Sequence, residues 1–115
     1  MPWEVISSPE FVEWLRNLSS TDREKVKSAI RALAQGGPSL KRPLVGKIED
    51  SYLSNLKELI PMSSNIRILF IFDPMRRAVL LHGGDKSVDF QDWYKKNIPI
   101  AELIYERFLR GEGLK

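Results

Sequence analysis

The chain has 115 residues, 43% of them hydrophobic, 29% charged and none cysteine, which is the size of one globular domain and leaves no room for a second, for thiol catalysis or for a Cys-based zinc site. Its 18 Lys and Arg against 15 Asp and Glu give a net charge of +3, which permits an anionic partner such as RNA without demanding one. The apolar runs Ile66–Phe72 and Ala78–Leu81 fall far short of the roughly 20 residues of a membrane helix, and the start Met1-Pro2-Trp3-Glu4-Val5 has no signal-peptide pattern, so a cytoplasmic protein is expected.

In chain order, Trp3–Ser7 reads as a short strand ended by Ser7-Ser8-Pro9, and proline there opens a helix capped by Ser7 or Ser8 with Glu10 in its first turn. Phe11, Trp14, Leu15 and Leu18 recur at helical spacing and give that helix one buried stripe. Thr21 with Glu24 has the pattern of a capping box for a second helix, whose stripe is Val26, Ala29, Ile30 and Leu33 and whose end is Gly36-Gly37-Pro38. These two form an antiparallel helical hairpin. From Leu44 to Gly84 closely spaced turn signals divide the chain into strands at Leu44–Glu49, Tyr52–Ile60, Ile66–Phe72 and Ala78–His82. Their breaks at Pro61–Ser64 and Asp73–Arg77 are of hairpin length, so an antiparallel meander results. Two further helices are expected, Ser87–Asn97 and Ile98–Leu109, with Pro99 near the N1 position of the last. The final Gly111–Lys115 reads as a frayed end. The fold class is therefore α+β.

Several motif fragments carry no chemistry. Gly83-Gly84-Asp85-Lys86-Ser87 lacks the Gly-Lys step of a phosphate-binding loop, and no G-x-S-x-G elbow exists. One histidine with scattered carboxylates is a poor metal-ligand set. What remains is cationic. With the Pro61–Ser64 loop closed near Leu59 and Asn65, Lys57 and Arg67 would lie opposite one another on adjacent strands, an arrangement that is unfavourable unless an anion sits between them. A one-residue slip would send them to different faces. Arg67 shares its face with Leu69 and Ile71, Lys47 could join from the preceding strand, and Lys86 could approach from the end of the last. His82 fits a hydrogen-bonded strand-end residue as well as an acid or base. Trp93 and Tyr94 fit core and rim as well as base stacking, and Asp85 and Asp89 fit caps of the turn and the following helix.

The segments Leu53-Ser54-Asn55-Leu56-Lys57-Glu58-Leu59, Asn65-Ile66-Arg67-Ile68-Leu69-Phe70 and Val79-Leu80-Leu81-His82-Gly83-Gly84-Asp85-Lys86 together resemble the RelE/ParE superfamily of toxins. More narrowly they are similar to its HigB, or phage Gp49-like, branch, in which an L-x-E-L strand is followed by an I-R-x-L-F strand and an L-L-H-G strand leading to a lysine. Trp93-Tyr94-Lys95-Lys96-Asn97-Ile98-Pro99-Ile100-Ala101 resembles the tail of that branch.

The resemblance implies a RelE-like fold and the toxin of a type II toxin–antitoxin pair, a ribosome-dependent endoribonuclease that cleaves mRNA without a metal or cofactor. Such cleavage needs a base for the 2′-hydroxyl, stabilisation of a dianionic phosphorane and an acid for the leaving 5′-oxygen. On this reading Arg67 holds the phosphate with its two-pronged guanidinium, Lys57 does the same or acts as base, Lys86 assists the leaving group, and His82 is an alternative acid or base. Lys47, Arg76 and Tyr94 would contact RNA. Tyr94 departs from the RelE type, whose tyrosine follows the last strand closely, and Asp85 stands where the family is often basic. The implied partners are the ribosome, mRNA and a small helix-turn-helix antitoxin. The alternatives are a ParE-type toxin that inhibits DNA gyrase and a partner-binding homologue without activity. Convergence of Lys57, Arg67 and Lys86 on one surface would favour the enzyme, and their dispersal the alternatives.

Overall fold

The computed structural model describes residues 2–111; of the expected frayed end, residues 112–115 lie outside the described residues. Strand β1 (Glu4–Ser7) leads into α1 (Pro9–Arg16), and Ser8 makes the junction. Its buried hydroxyl accepts from the Phe11 N–H at 3.0 Å and donates to the Leu81 carbonyl at 2.7 Å, so one side chain caps the helix and fastens it to the sheet. Helix α2 (Ser20–Gly36) follows after a short turn. Its cap is Ser19, which accepts from the Asp22 N–H at 3.1 Å, and not the expected Thr21–Glu24 box. Ser19 already has the extended backbone a cap requires, whereas Thr21 lies inside the helix.

Four more strands complete the sheet: β2 (Val45–Lys47), β3 (Leu56–Leu59), β4 (Ile66–Asp73) and β5 (Arg77–Asp85). The order is β1-β5-β4-β3-β2; β2 to β5 pair antiparallel, and β1 adds to β5 in parallel at the edge. The expected strand Tyr52–Ile60 is shorter, because residues before Leu56 are pulled into turns by their own polar groups. Asn55 donates to the Phe72 carbonyl at 3.0 Å, and Ser51 donates to Glu102 at 2.6 Å. The last helix, α3 (Trp93–Leu109), is continuous, preceded by a single 3₁₀ turn at Lys86–Val88, so the expected division into two helices is corrected. Pro99 sits inside it and leaves the Lys95 carbonyl without its usual donor, a cost of about 3 kcal/mol. The buried residues Trp93, Ile98, Ala101, Ile104 and Phe108 lie on both sides of the proline and hold one helix axis against the sheet. Asp85 caps as expected, accepting from the Ser87 N–H at 2.8 Å, while Asp89 pairs with Lys96.

Two cores result. Phe11, Val26 and Leu33 of the hairpin pack on Leu59, Ile68, Phe70 and Leu80, and α3 packs on Leu56, Leu69, Ile71, Val79 and Leu81. A bulge after Leu69, which pairs with His82 while Phe70 pairs with Leu80, leaves Leu81 without a cross-strand partner. Beyond it the two adjacent glycines let an indole press on each face of the sheet. A Cβ on Gly83 would stand 2.5 Å from the Trp14 ring, and one on Gly84 2.8 Å from the Trp93 ring.

The β4–β5 turn is built on Asp73. Its carboxylate accepts from the Met75 and Arg77 N–H groups at 3.0 and 3.2 Å and from Arg77 Nε at 2.8 Å. Burial raises the pKa of this carboxyl, but the bonds from Arg77 and Met75 outweigh it and hold it below the usual 3.8.

Gly83→Ala is expected to lower stability by about 1 to 3 kcal/mol, since Trp14 must move, as measured by chemical denaturation. The second expectation concerns acid. The carboxyl of Asp73 is lowered in the folded state, so its contribution is complete above the ordinary carboxylate range and lost as pH falls below about 4. Urea midpoints followed against pH should show Asp73→Asn less stable than wild type at neutral pH, with the gap closing in acid.

Candidate functional site

Arg67 is the one residue of β4 that is not buried. It lies opposite Gly84 of β5, on the face covered by α3. Its Nη1 donates to the Ser64 and Ile66 carbonyls at 3.1 and 2.8 Å, and its Nε lies 3.7 Å from the Glu58 carboxylate. Glu58, from β3, pairs with Leu69 and therefore faces the same way. Only 4% of it is exposed. A carboxylate buried so deeply needs partners to offset its lost hydration, and Glu58 has three. Tyr94 of α3 donates its hydroxyl to Oε1 at 2.5 Å, Arg67 stands on the same oxygen, and Arg42 Nη2 reaches Oε2 at 3.4 Å. Gly46, the cross-strand neighbour of Glu58, leaves space for the Arg42 guanidinium.

Burial, followed by the hydrogen bond and charge of Glu58, pushes the Tyr94 phenol up to about 12, against the opposing effect of Arg67. The phenol is therefore a proton-bearing donor at neutral pH and not a base. Its ring meets that of Trp93 edge to face at 5.1 Å, so it is held at both ends.

Glu58 and Tyr94 line a cleft of about 720 Å³ between α3 and the loop after β2. Lys47 and Lys95 contribute cations to its walls, Ile48, Ile98 and Pro99 contribute apolar surface, and Glu49, Asp50 and Glu102 contribute carboxylates. Glu102 also ties the loop down, accepting from the Ser51 hydroxyl at 2.6 Å and the Tyr52 N–H at 3.3 Å.

The residues singled out from sequence separate into groups. Arg67 and Tyr94 come together beside Glu58, Tyr94 and Lys47 line the cleft while Arg67 does not, and Lys86 stands at the same end of the sheet, its N–H bonded to the Asn65 carbonyl at 2.9 Å. Lys57 does not face Arg67. The β3–β4 register pairs Lys57 with Phe70 and Leu59 with Ile68, and Lys57 also lies opposite Lys47 of β2. The loop between β3 and β4 is longer by an odd number of residues than expected, so Lys57 falls on the face of the helical hairpin and Arg67 on the other. His82 is hydrogen-bonded through Nε2 to Asn97 of α3 at 2.6 Å and does not line the cleft. Arg76 is at the far end of the sheet, in the β4–β5 turn, with its guanidinium 4.9 Å from the Trp3 ring centroid. Glu58, Arg42 and Lys95 were missed. The signal for Glu58 was present, since it is a charged residue at an inward strand position within Leu56-Lys57-Glu58-Leu59.

A mixed sheet with a parallel N-terminal edge strand, a helical hairpin on one face and a C-terminal helix on the other is the RelE-like toxin fold. An Escherichia coli RelE mutant in the free state matches with a TM-score of 0.61 at 15% identity, over 84% of this chain and 98% of that one. The toxin–antitoxin complex RelBE2 of Mycobacterium tuberculosis gives 0.59 at 14% identity, over 74% of this chain and 99% of the other. Residues 13–106 match the family model described as phage derived protein Gp49-like (DUF891). A Mycobacterium tuberculosis protein named as toxin HigB3 is 45% identical over 108 residues, which cover 94% of this chain and 95% of that protein. Another from the same organism, named as toxin HigB2, is 39% identical over 99 residues and is about twice as long as the matched region, which covers 49% of it. The chain belongs to the Gp49-like family, the HigB branch of the RelE/ParE toxin superfamily.

Tyr94→Phe takes one of the three partners from a buried carboxylate. A loss of about 1 to 3 kcal/mol in folding stability is expected, measured by chemical denaturation.

Proposed function

We propose that the protein is the toxin of a type II toxin–antitoxin pair and that it cleaves mRNA on the ribosome in the cytoplasm, by attack of an RNA 2′-hydroxyl on the adjacent phosphate without a metal. Family membership supports the toxin, and one observation carries the chemistry: Arg67, held in place by two backbone carbonyls, stands beside Glu58 and a protonated tyrosine, and those two line a cleft that Lys47 and Lys95 also line. A guanidinium fixed in this way can stabilise the extra charge of a phosphorane without reorganising. Lys86 is assigned to the leaving-group side, and Lys47 and Lys95 to holding the strand. Lys57 and Arg76 are assigned to contacts with the ribosome or RNA outside the cleft, and His82 to support of α3 through Asn97. A helix-turn-helix antitoxin is the expected partner; the solved RelBE2 and Escherichia coli RelBE structures are complexes of that general type, toxin with antitoxin.

A second reading, a toxin that acts by binding a target such as gyrase, draws on the separation of Lys57 from Arg67 and on the carboxylates Glu49, Asp50 and Glu102 in the cleft. Mapping of mRNA ends in a translating extract separates the two. The wild-type chain is expected to cut at ribosome-defined positions, and Arg67→Ala to reduce cutting ~100-fold or more. Growth arrest that persists in Arg67→Ala with no cuts at all in wild type would establish the binding reading instead.

A further inference from the structure

Glu58 is a costly residue to keep. Its side chain is 5% exposed, and a carboxylate taken out of water costs several kcal/mol before its partners offset it. Nothing in the packing of β3 requires a charge there, because Leu56 on the same face is fully buried and apolar. The partners say what the charge accomplishes. Oε1 receives the Tyr94 hydroxyl and faces Arg67 Nε, and Oε2 faces Arg42. One carboxylate thus connects β3 to β4, to α3 and to the segment before β2. Arg67 faces the same phenol, and the Tyr94 ring rests on Trp93, which is itself seated on Gly84. Without Glu58 the phenol and the guanidinium would keep each other, and Arg67 its two backbone carbonyls, but both would lose the carboxylate that ties them to β3.

We propose that Glu58 is a positioning residue that fixes the Tyr94 ring, at the wall of the cleft, and the Arg67 guanidinium beside it, the ring as a surface on which an RNA base stacks and the guanidinium as the ligand of its phosphate. This rests on the RNA-cleaving reading above. A base stacked on an aromatic ring gains about 1 to 3 kcal/mol, and that gain depends on a ring that does not have to be ordered when RNA arrives. Glu58 itself touches neither base nor phosphate in this arrangement. It acts through Tyr94 and Arg67.

The test uses the full chain with Glu58→Ala, Glu58→Gln, Tyr94→Phe and the Glu58→Ala/Tyr94→Phe double variant, each confirmed as folded by circular dichroism. Gln keeps an oxygen that accepts from the phenol and loses the charge. In ribosome-programmed cleavage, Glu58→Ala is expected to lose between about 10- and 100-fold in kcat/KM, as misplaced groups do, with Glu58→Gln recovering to within about threefold of wild type. The double variant is expected to match the poorer of the two single variants, because residues acting as one unit are not additive. Equal loss in Glu58→Gln and Glu58→Ala, or additive loss in the double variant, would overturn the proposal. An absorbance titration provides a readout that needs no cleavage. Burial and then Glu58 push the Tyr94 phenol up to about 12, and in Glu58→Ala, which removes the second cause and keeps the first, one of the three tyrosines should move part of the way towards the ordinary 10. No movement would show that Glu58 does not hold Tyr94, whatever the chain does to RNA. Movement without any cleavage by wild type would retire the RNA-cleaving reading alone.

Discussion

The structure depends on the burial of β4 on both faces. Of its eight residues only Arg67 escapes burial, with Ile68 and Phe70 against the helical hairpin and Leu69 and Ile71 against α3. A strand that is apolar on both sides can persist only between two layers of cover, each large side chain contributing about 1.5 to 3 kcal/mol once enclosed. The helices before and after the meander are that cover. The closeness of both layers is set at Gly83 and Gly84, where the Trp14 and Trp93 indoles lie against opposite sides of β5.

The same strand decides where charge can appear. Side chains alternate between the two faces, so once the hydrophobic residues of β4 are assigned, Arg67 must emerge on the α3 side. There it meets Glu58 and, from α3, Tyr94. The polar group is small, connected and enclosed by the second core, and its members support one another as a network. The cleft it opens on is mixed in charge, with Lys47 and Lys95 beside Glu49, Asp50 and Glu102. An anionic ligand here would meet a few placed cations and no general positive field.

Much of the fold was legible in the sequence because its signals are local. The Ser8-Pro9 start of α1, the apolar stripe of α2, the hairpin turn at Asp73 and the apolar run of β4 each rest on residues close in the chain. The misreadings share one cause, the weight of distant contacts. Pro99 ends a helix by local rules, yet Trp93 and Ile98 on one side and Ile104 and Phe108 on the other are buried against the same sheet face. Residues before Leu56 look extended, yet Ser51 is drawn onto Glu102 of α3, 51 positions away. Arg67 and Tyr94, both singled out from the sequence, do stand side by side, while Glu58 was passed over because pattern alone does not tell a buried carboxylate from a solvated one.

The sequence by itself determined the α+β order of elements, the superfamily and branch, and a set of charged candidates drawn mainly from arginine and lysine in a chain with no cysteine and one histidine. The tertiary structure alone decided which of those cations stand together. A strand pair shifted by an odd number of residues changes no local preference and reverses every facing. For that reason Lys57 and Arg67, two of the residues the sequence most invited one to pair, lie on opposite sides of the sheet, and the neighbour that Arg67 has instead is a glutamate.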